Sequence, residues 1–186
     1  MKVALDAGHG CKNFLSTGAK GNGLVEDSIA LAVAHKVRWY LVERGVSVVM
    51  TRADQKMVQL KARAKLAKQE KCDAFVSIHC NASGNPHAQG AEAFIVVSDH
   101  NGAELADRIM DVLTSNGMKN RGTKADSKGQ HASIYVLRNT YSRMPATLIE
   151  LGFLTNKEDA TRLRDKVWIE GVASGIAQAI AEFLKD

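Results

Sequence analysis

Apolar and polar positions alternate between two rhythms along this chain, and the changes of rhythm mark its elements. Val3-Ala4-Leu5-Asp6 is a short apolar run that predicts a strand, broken by Ala7-Gly8-His9-Gly10. A polar, glycine-rich stretch through Thr17, Gly18, Gly21 and Gly23 predicts a loop. From Glu26 and Asp27 onward, Ala30, Val33, Ala34, Val37 and Leu41 recur at helical spacing, and Gly45 closes the helix. Val46 to Met50 predicts a second strand, and helical spacing returns around Leu60, Ala64 and Ala67. Ala74-Phe75-Val76-Ser77-Ile78-His79 predicts a buried strand ending on histidine, with a loop over Asn81 to Pro86. Gly90 to Val97 predicts another strand. A helix follows, with Leu105, Ile109, Val112 and Leu113 on one face, stopped at Asn116-Gly117. Lys119 to Ala132 is polar and predicts a loop, Ser133 to Leu137 a strand, and Pro145 to Glu150 a buried strand. Asn156 is placed to cap a short helix. Val172, Ile176, Ile180 and Phe183 define the inner face of a terminal helix.

Strands alternating with helices predict the α/β class: one largely parallel, mixed β-sheet flanked by helices on both faces. No Pro/Ser-rich linker, repeat or low-complexity tract interrupts residues 1–186, so one domain is expected. Composition leaves that picture intact, because 45% apolar and 24% charged residues are ordinary for a globular chain. No apolar run reaches the roughly 18 residues that span a bilayer. The segment Met1 to Asp6 has no signal-peptide core, so the expectation is a mature or excised domain, or one made without a Sec signal. Cys11, Cys72 and Cys80 form no CxxC pair and are read as free thiols. The net charge of +5 predicts attraction to polyanions, anionic wall polymers among them. With 5% aromatic residues and scattered Lys and Arg, a nucleic-acid binder is not expected.

Candidate chemistry collects at one edge. In an open α/β sheet, ligands bind beyond the carboxyl ends of the strands. His9, His79 and Glu150 fall there on three predicted strands, and Glu26 opens the helix after the first. Taken singly, each histidine is more often structural, and Glu26 could simply be an acidic first-turn residue favoured by the helix dipole. Their convergence suits a zinc site of two histidines and one glutamate, with water in the fourth position and the other glutamate as general base and acid. The pattern distinguishes the two glutamates only in part. Glu26 lies on a glycine-rich approach and could swing onto a metal, whereas a strand tip would hold Glu150 rigid, as a base requires.

Asp6-Ala7-Gly8-His9-Gly10, Glu26 opening a helix, Ser77-Ile78-His79-Cys80-Asn81-Ala82, Gly90-Ala91-Glu92-Ala93-Phe94, Asn120-Arg121-Gly122, and Met144 through Asn156 occur in that order. In these motifs the chain resembles the catalytic domain of zinc-dependent N-acetylmuramoyl-L-alanine amidases of the amidase-3 type. It implies one zinc ion on His9, Glu26 and His79, with Glu150 as catalytic glutamate. The implied reaction hydrolyses the amide between N-acetylmuramic acid and L-alanine in peptidoglycan, at the bacterial wall, as in autolysins, sporulation enzymes and phage endolysins. The alternatives are a zinc peptidase or carboxypeptidase on the peptide stem, or a wall-binding module without catalysis. Ala7 and Cys80 stand where the family usually has Pro and Ala, neither at a ligand position. Only Ser83 to Gln89 separate two of the motifs, so the inhibitory helix that some cell-division relatives insert there is not expected. Asn81 is a candidate for substrate binding or for capping its turn. Arg121 is a candidate for pairing with a stem carboxylate or for an ordinary solvated charge. His35, His87, His100 and His131 are read as surface or helix histidines, and the protein is expected to be a monomer.

Overall fold

The computed structural model describes residues 1–11, 17–126 and 133–186. Six strands form one sheet in the order β4-β1-β5-β8-β6-β7. These are β1 (Lys2–Ala7), β4 (Ser47–Met50), β5 (Ala74–Asn81), β6 (Ala91–Ile95), β7 (Asn120–Ala125) and β8 (Ala146–Phe153). The first three and β8 run parallel, β6 lies antiparallel to β8, and β7 is parallel to β6. The amino-terminal end of β6 therefore shares an edge with the carboxyl ends of β1, β5 and β8. A two-stranded ribbon, β2 (Lys20–Gly21) with β3 (Leu24–Val25), folds within the predicted glycine-rich loop. Its turn has positive φ at both Asn22 (48°) and Gly23 (77°), the conformation for which an Asn-Gly pair is suited.

Alternation along the strands gives the sheet two unlike faces. Val3, Leu5, Ala7, Val76, Ile78, Ile149 and Leu151 belong to one large apolar cluster. Helices α1 (Glu26–Glu43), α3 (His100–Ser115) and α6 (Lys166–Phe183) supply its other half. The opposite face carries a smaller cluster built on Ala4, Phe75, Phe94 and Leu148. It is covered by Ala67 of α2 (Leu60–Gln69) and by Val136 and Leu137 of α4 (Tyr135–Arg138). Toward the carboxyl edge this second face turns polar, where Asp6, Ser77, His79, Glu150 and Glu92 replace the apolar residues.

Several element ends obey local chemistry. Gly45 sits just past α1 with φ of 75°, and Asn156 caps α5 (Lys157–Arg164) by accepting from the amides of Glu158 and Asp159. Two expectations are corrected. Residues 120–125, read as loop, form β7: an edge strand has one sheet neighbour, so its side chains stay polar and carry no apolar alternation. Ser133 to Leu137, read as a strand, instead runs into the short helix α4. The carboxylate of Asp126 draws that turn together, accepting from the Ile134 amide and from Arg138. Four apolar residues in a row fit either state, and here tertiary anchoring decided. Residues 127–132 of the predicted loop, His131 included, lie outside the described residues. Among the described residues no helix is long and apolar enough to cross a membrane.

Candidate metal and catalytic site

His9 follows the end of β1 in a left-handed conformation, φ of 57°, between Gly8 and Gly10. A non-glycine residue holds that geometry only when its surroundings over-determine it. Here two buried arginines do so. Arg52 donates to the carbonyls of Ala7, Gly8 and Asp27 at 3.1, 2.8 and 2.8 Å. Arg63, on α2, donates to Ala7 O at 2.6 Å and to the carbonyl of His9 itself. Asp6 balances the charge: its carboxylate accepts from Arg63 at 2.8 Å, from Ser77 at 2.6 Å and from Thr51. Burial pushes the Asp6 carboxyl up, but Arg63 and the two hydroxyls outweigh it and hold the group below the ordinary value.

Glu26 begins α1 and is 3% exposed. Oε2 accepts the Ala19 amide at 2.6 Å and lies 3.3 Å from Nε2 of His9. Oε1 accepts the Cys80 amide at 3.1 Å and lies 2.8 Å from Nδ1 of His79. Burial works against its charge, yet the two imidazoles more than compensate and the carboxyl is held low. The histidine rings meet edge-on, centroids 5.1 Å apart, and one ligand atom from each of His9, Glu26 and His79 lies within 4.8 Å of the others. Two imidazoles and a carboxylate suit a borderline cation. The backbone closes around them: a methyl group on Gly8 would sit 2.5 Å from the His79 ring, and one on Gly18 2.3 Å from Oε2 of Glu26.

Glu150 is the centre of a row across three strands. In β-sheet register it faces His79 on one side and Glu92 on the other. It is 4% exposed, and among the described residues its Oε2 is buried with no hydrogen-bond partner. Burial, then the charges of Glu26 and Glu92, push its carboxyl well above the usual range. A buried carboxylate oxygen left in that condition calls for a proton or a nearby cation. The His9–Glu26–His79 cluster is the place where a cation fits. These four residues line one pocket of about 380 Å³. It adjoins a groove of about 720 Å³, bounded by Met57, Leu60, Tyr135 and Val136, with which it shares His9, His79, Ile134 and Leu148.

Known proteins are similar to this chain in sequence and in fold. A family model described as N-acetylmuramoyl-L-alanine amidase matches residues 3–182. The chain belongs to that amidase family. The endolysin of Bacillus phage SPP1 is 39% identical over 190 residues, 98% of this chain and 65% of the phage protein. The N-acetylmuramoyl-L-alanine amidase LytC of Bacillus subtilis is 31% identical over 98% of this chain, which spans only 35% of that relative. Among solved structures, the amidase AmiC2 of Nostoc punctiforme superposes with a TM-score of 0.88 at 33% identity, covering 100% of this chain and 98% of that one. The catalytic domain of the Bacillus (Paenibacillus) polymyxa amidase CwlV gives 0.81 at 34%, over 99% and 98%. The family is one of enzymes that hydrolyse an amide in peptidoglycan.

In this amidase the remaining candidate residues fall into place around Glu92. Asn81 is 5% exposed; its Oδ1 accepts the Ala82 amide at 2.8 Å and its Nδ2 donates to Glu92 at 2.6 Å. Arg121 donates through Nε to Glu92 at 2.9 Å, with its guanidinium 4.8 Å above the Phe153 ring. Cys80 points to the opposite face, into the large apolar cluster, as alternation requires. His35 contacts the Ala53 carbonyl, away from the site. Residues 82–90, between β5 and β6, contain no helix. Sequence reasoning gave no role at the site to Asp6, Arg52, Arg63, Glu92 or Lys124. Asp6 and Glu92 lay within the quoted motifs and so carried a signal; Arg52, Arg63 and Lys124 did not, since long charged side chains announce their partners through the fold rather than through spacing.

Proposed function

We propose that this amidase cleaves the bond between the lactyl carbonyl of N-acetylmuramic acid and L-alanine, using one zinc ion held by His9, Glu26 and His79, with Glu150 as acid–base group. The observation that supports this most is the orphaned Oε2 of Glu150, buried beside a three-ligand cluster in the same pocket. Bound there, zinc supplies the Lewis acidity that polarises an amide carbonyl and acidifies water at neutral pH. Amides of Ala19 and Cys80 fix the Glu26 carboxylate, so the ligand end of the site is set before substrate arrives. Glu150, unbonded at Oε2, takes the proton of the attacking water and returns it to the alanine nitrogen as that nitrogen departs. A strand position between two hydrogen-bonded neighbours keeps its motion small.

We place this activity at the bacterial wall, in an autolytic or endolytic role, with the net charge of +5 favouring approach to anionic wall polymers. We also read residues 1–186 as a single catalytic domain acting as a monomer. The short 82–90 connection implies a site that needs no release from a covering helix, so shortening that loop should not raise activity. The deciding experiment is metal analysis of the purified protein together with mass spectrometry of digested muropeptides. One zinc per chain and free lactyl ends on the muramic acid are expected. Intact muramoyl–alanine amides with cuts inside the stem would instead identify a peptidase.

A further inference from the structure

Beside Glu150 lies a second polar cluster that the hydrolytic step does not use. Glu92, 3% exposed, stands directly opposite Glu150 across the β6–β8 ladder, where facing Cα atoms lie about 4.5–5.5 Å apart. One of its oxygens is fixed by Asn81, and the other holds both Arg121 and Lys124. Two cations on one carboxylate leave a net positive charge. Neither cation is used up. Arg121 spends its Nε on Glu92, and among the described residues the outer edge of its guanidinium keeps only a 3.4 Å contact from Nη1 to the Gln89 carbonyl. The side chains of Arg121 and Lys124 are 32% and 42% exposed, so solvent and ligand reach them. Stacking on Phe153 fixes the guanidinium plane.

We infer that Arg121 and Lys124, held in place by Glu92, form a binding site for a carboxylate on the peptide stem of the substrate. This rests on the amidase reading above and adds a preference to it. Strand order supplies the direction: the proposed metal ligand His79 is on β5, Glu150 on β8, and the two cations belong to β7, beyond β6. Glu150 delivers its proton to the alanine nitrogen, so the peptide leaving from that nitrogen continues away from the metal side, across Glu92. In peptidoglycan the residue after L-alanine is D-glutamate joined through its side-chain carboxyl, which leaves its α-carboxyl free unless it is amidated. A guanidinium edge and an ammonium, already desolvated in part and fixed in orientation, bind that anion at little ordering cost. The amide cannot accept the same charge-assisted pair. Glu92 is thus a positioning residue, and Arg121 and Lys124 are specificity-determining residues.

The test compares two muropeptides that differ only at that group, one ending its first two residues in D-glutamate and one in D-isoglutamine, with the zinc-loaded full chain. The free acid should be preferred by about tenfold to a hundredfold in kcat/KM, expressed mainly in KM. In the Arg121→Gln/Lys124→Gln double variant the ratio should collapse toward one, and Arg121→Lys should restore part of it. Should the double variant not fold, the wild-type ratio and the single Lys124→Gln variant carry the test, since Lys124 lies on an exposed edge. Cleavage of both substrates at equal efficiency, or a ratio unmoved by the substitutions, overturns the carboxylate site and leaves the amidase reading standing. Failure of the wild-type protein to cut either muramoyl–alanine amide overturns that reading, and this one with it.

Discussion

Glu26 and Glu150 are the same residue type at the same edge of one sheet, and their surroundings differ in almost everything else. Glu26 is saturated: two backbone amides and two imidazoles meet its two oxygens. Glu150 is equally buried, yet one oxygen meets nothing among the described residues. The contrast shows in their protonation, with the Glu26 carboxyl held low and the Glu150 carboxyl pushed high. A carboxylate whose lone pairs are all committed is suited to staying ionised and anchoring a cation. One that is dry, fixed and half unbonded is suited to taking up and giving back a proton. Depth does not separate the two; the unbonded oxygen does.

The contrast can be broken most sharply at Glu150. The Glu150→Gln variant should lose about 10²- to 10⁴-fold in turnover of muropeptides while binding metal at unchanged stoichiometry. Turnover near wild type would move the acid–base role elsewhere. Next in size is the frame beneath both groups. Asp6→Ala leaves Arg63 charged and unpaired in the interior, and should cost about 3–5 kcal/mol in denaturant unfolding; a loss below about 1 kcal/mol would show that water reaches Arg63. Glu26→Gln should destabilise the metal-free protein by about 1–3 kcal/mol, because the amides of Ala19 and Cys80 and both imidazoles lose a charged acceptor. Glu150→Gln in the same assay should be neutral or stabilising. Equal losses for the two variants would erase the distinction between them.

The smallest effect is in the pH dependence of the metal-free protein. Glu150 is raised in the folded state, so its contribution is fully present below the unfolded value of 4.5 and is lost as pH rises through the folded value. Wild-type stability should therefore carry a downward slope of up to about 1.4 kcal/mol per pH unit above that point, and Glu150→Gln should lack it. Asp6 works in the opposite sense. Its carboxyl is lowered, so its contribution is present above 3.8 and disappears as pH falls through the folded value. Asp6→Asn should flatten the acid limb of the unfolding curve.

Sequence made the chemical positions legible because strand tips in an α/β sheet are few, and a histidine or glutamate on such a tip has only one edge to occupy. His9, His79 and Glu150 each ended an apolar run, and Glu26 opened an amphipathic helix, so their meeting followed from topology. The frame was not legible. Arg52 and Arg63 look like surface residues in a charged stretch, yet both are 2% exposed; Arg63 ties the His9 loop to α2, and Arg52 ties Gly8 to Asp27 of α1. Glu92 sits in a strand whose direction decides its neighbour: only the antiparallel pairing of β6 with β8 brings it opposite Glu150. Polar β7 and four-residue α4 carried too little periodicity to be read at all. In each case the missing information was a partner distant in sequence.

The glycines behind His79 and Glu26 bear on how such a site can be altered. Gly8 and Gly18 put bare backbone against His79 and Glu26, where a single added methyl group would collide with ring or carboxylate. At these two positions a side chain therefore cannot be added without displacing His79 or Glu26. The rim is different: Arg121, Lys124, Met57 and Leu60 all reach solvent. A laboratory search for altered stem preference would be best spent there, with the interior left untouched.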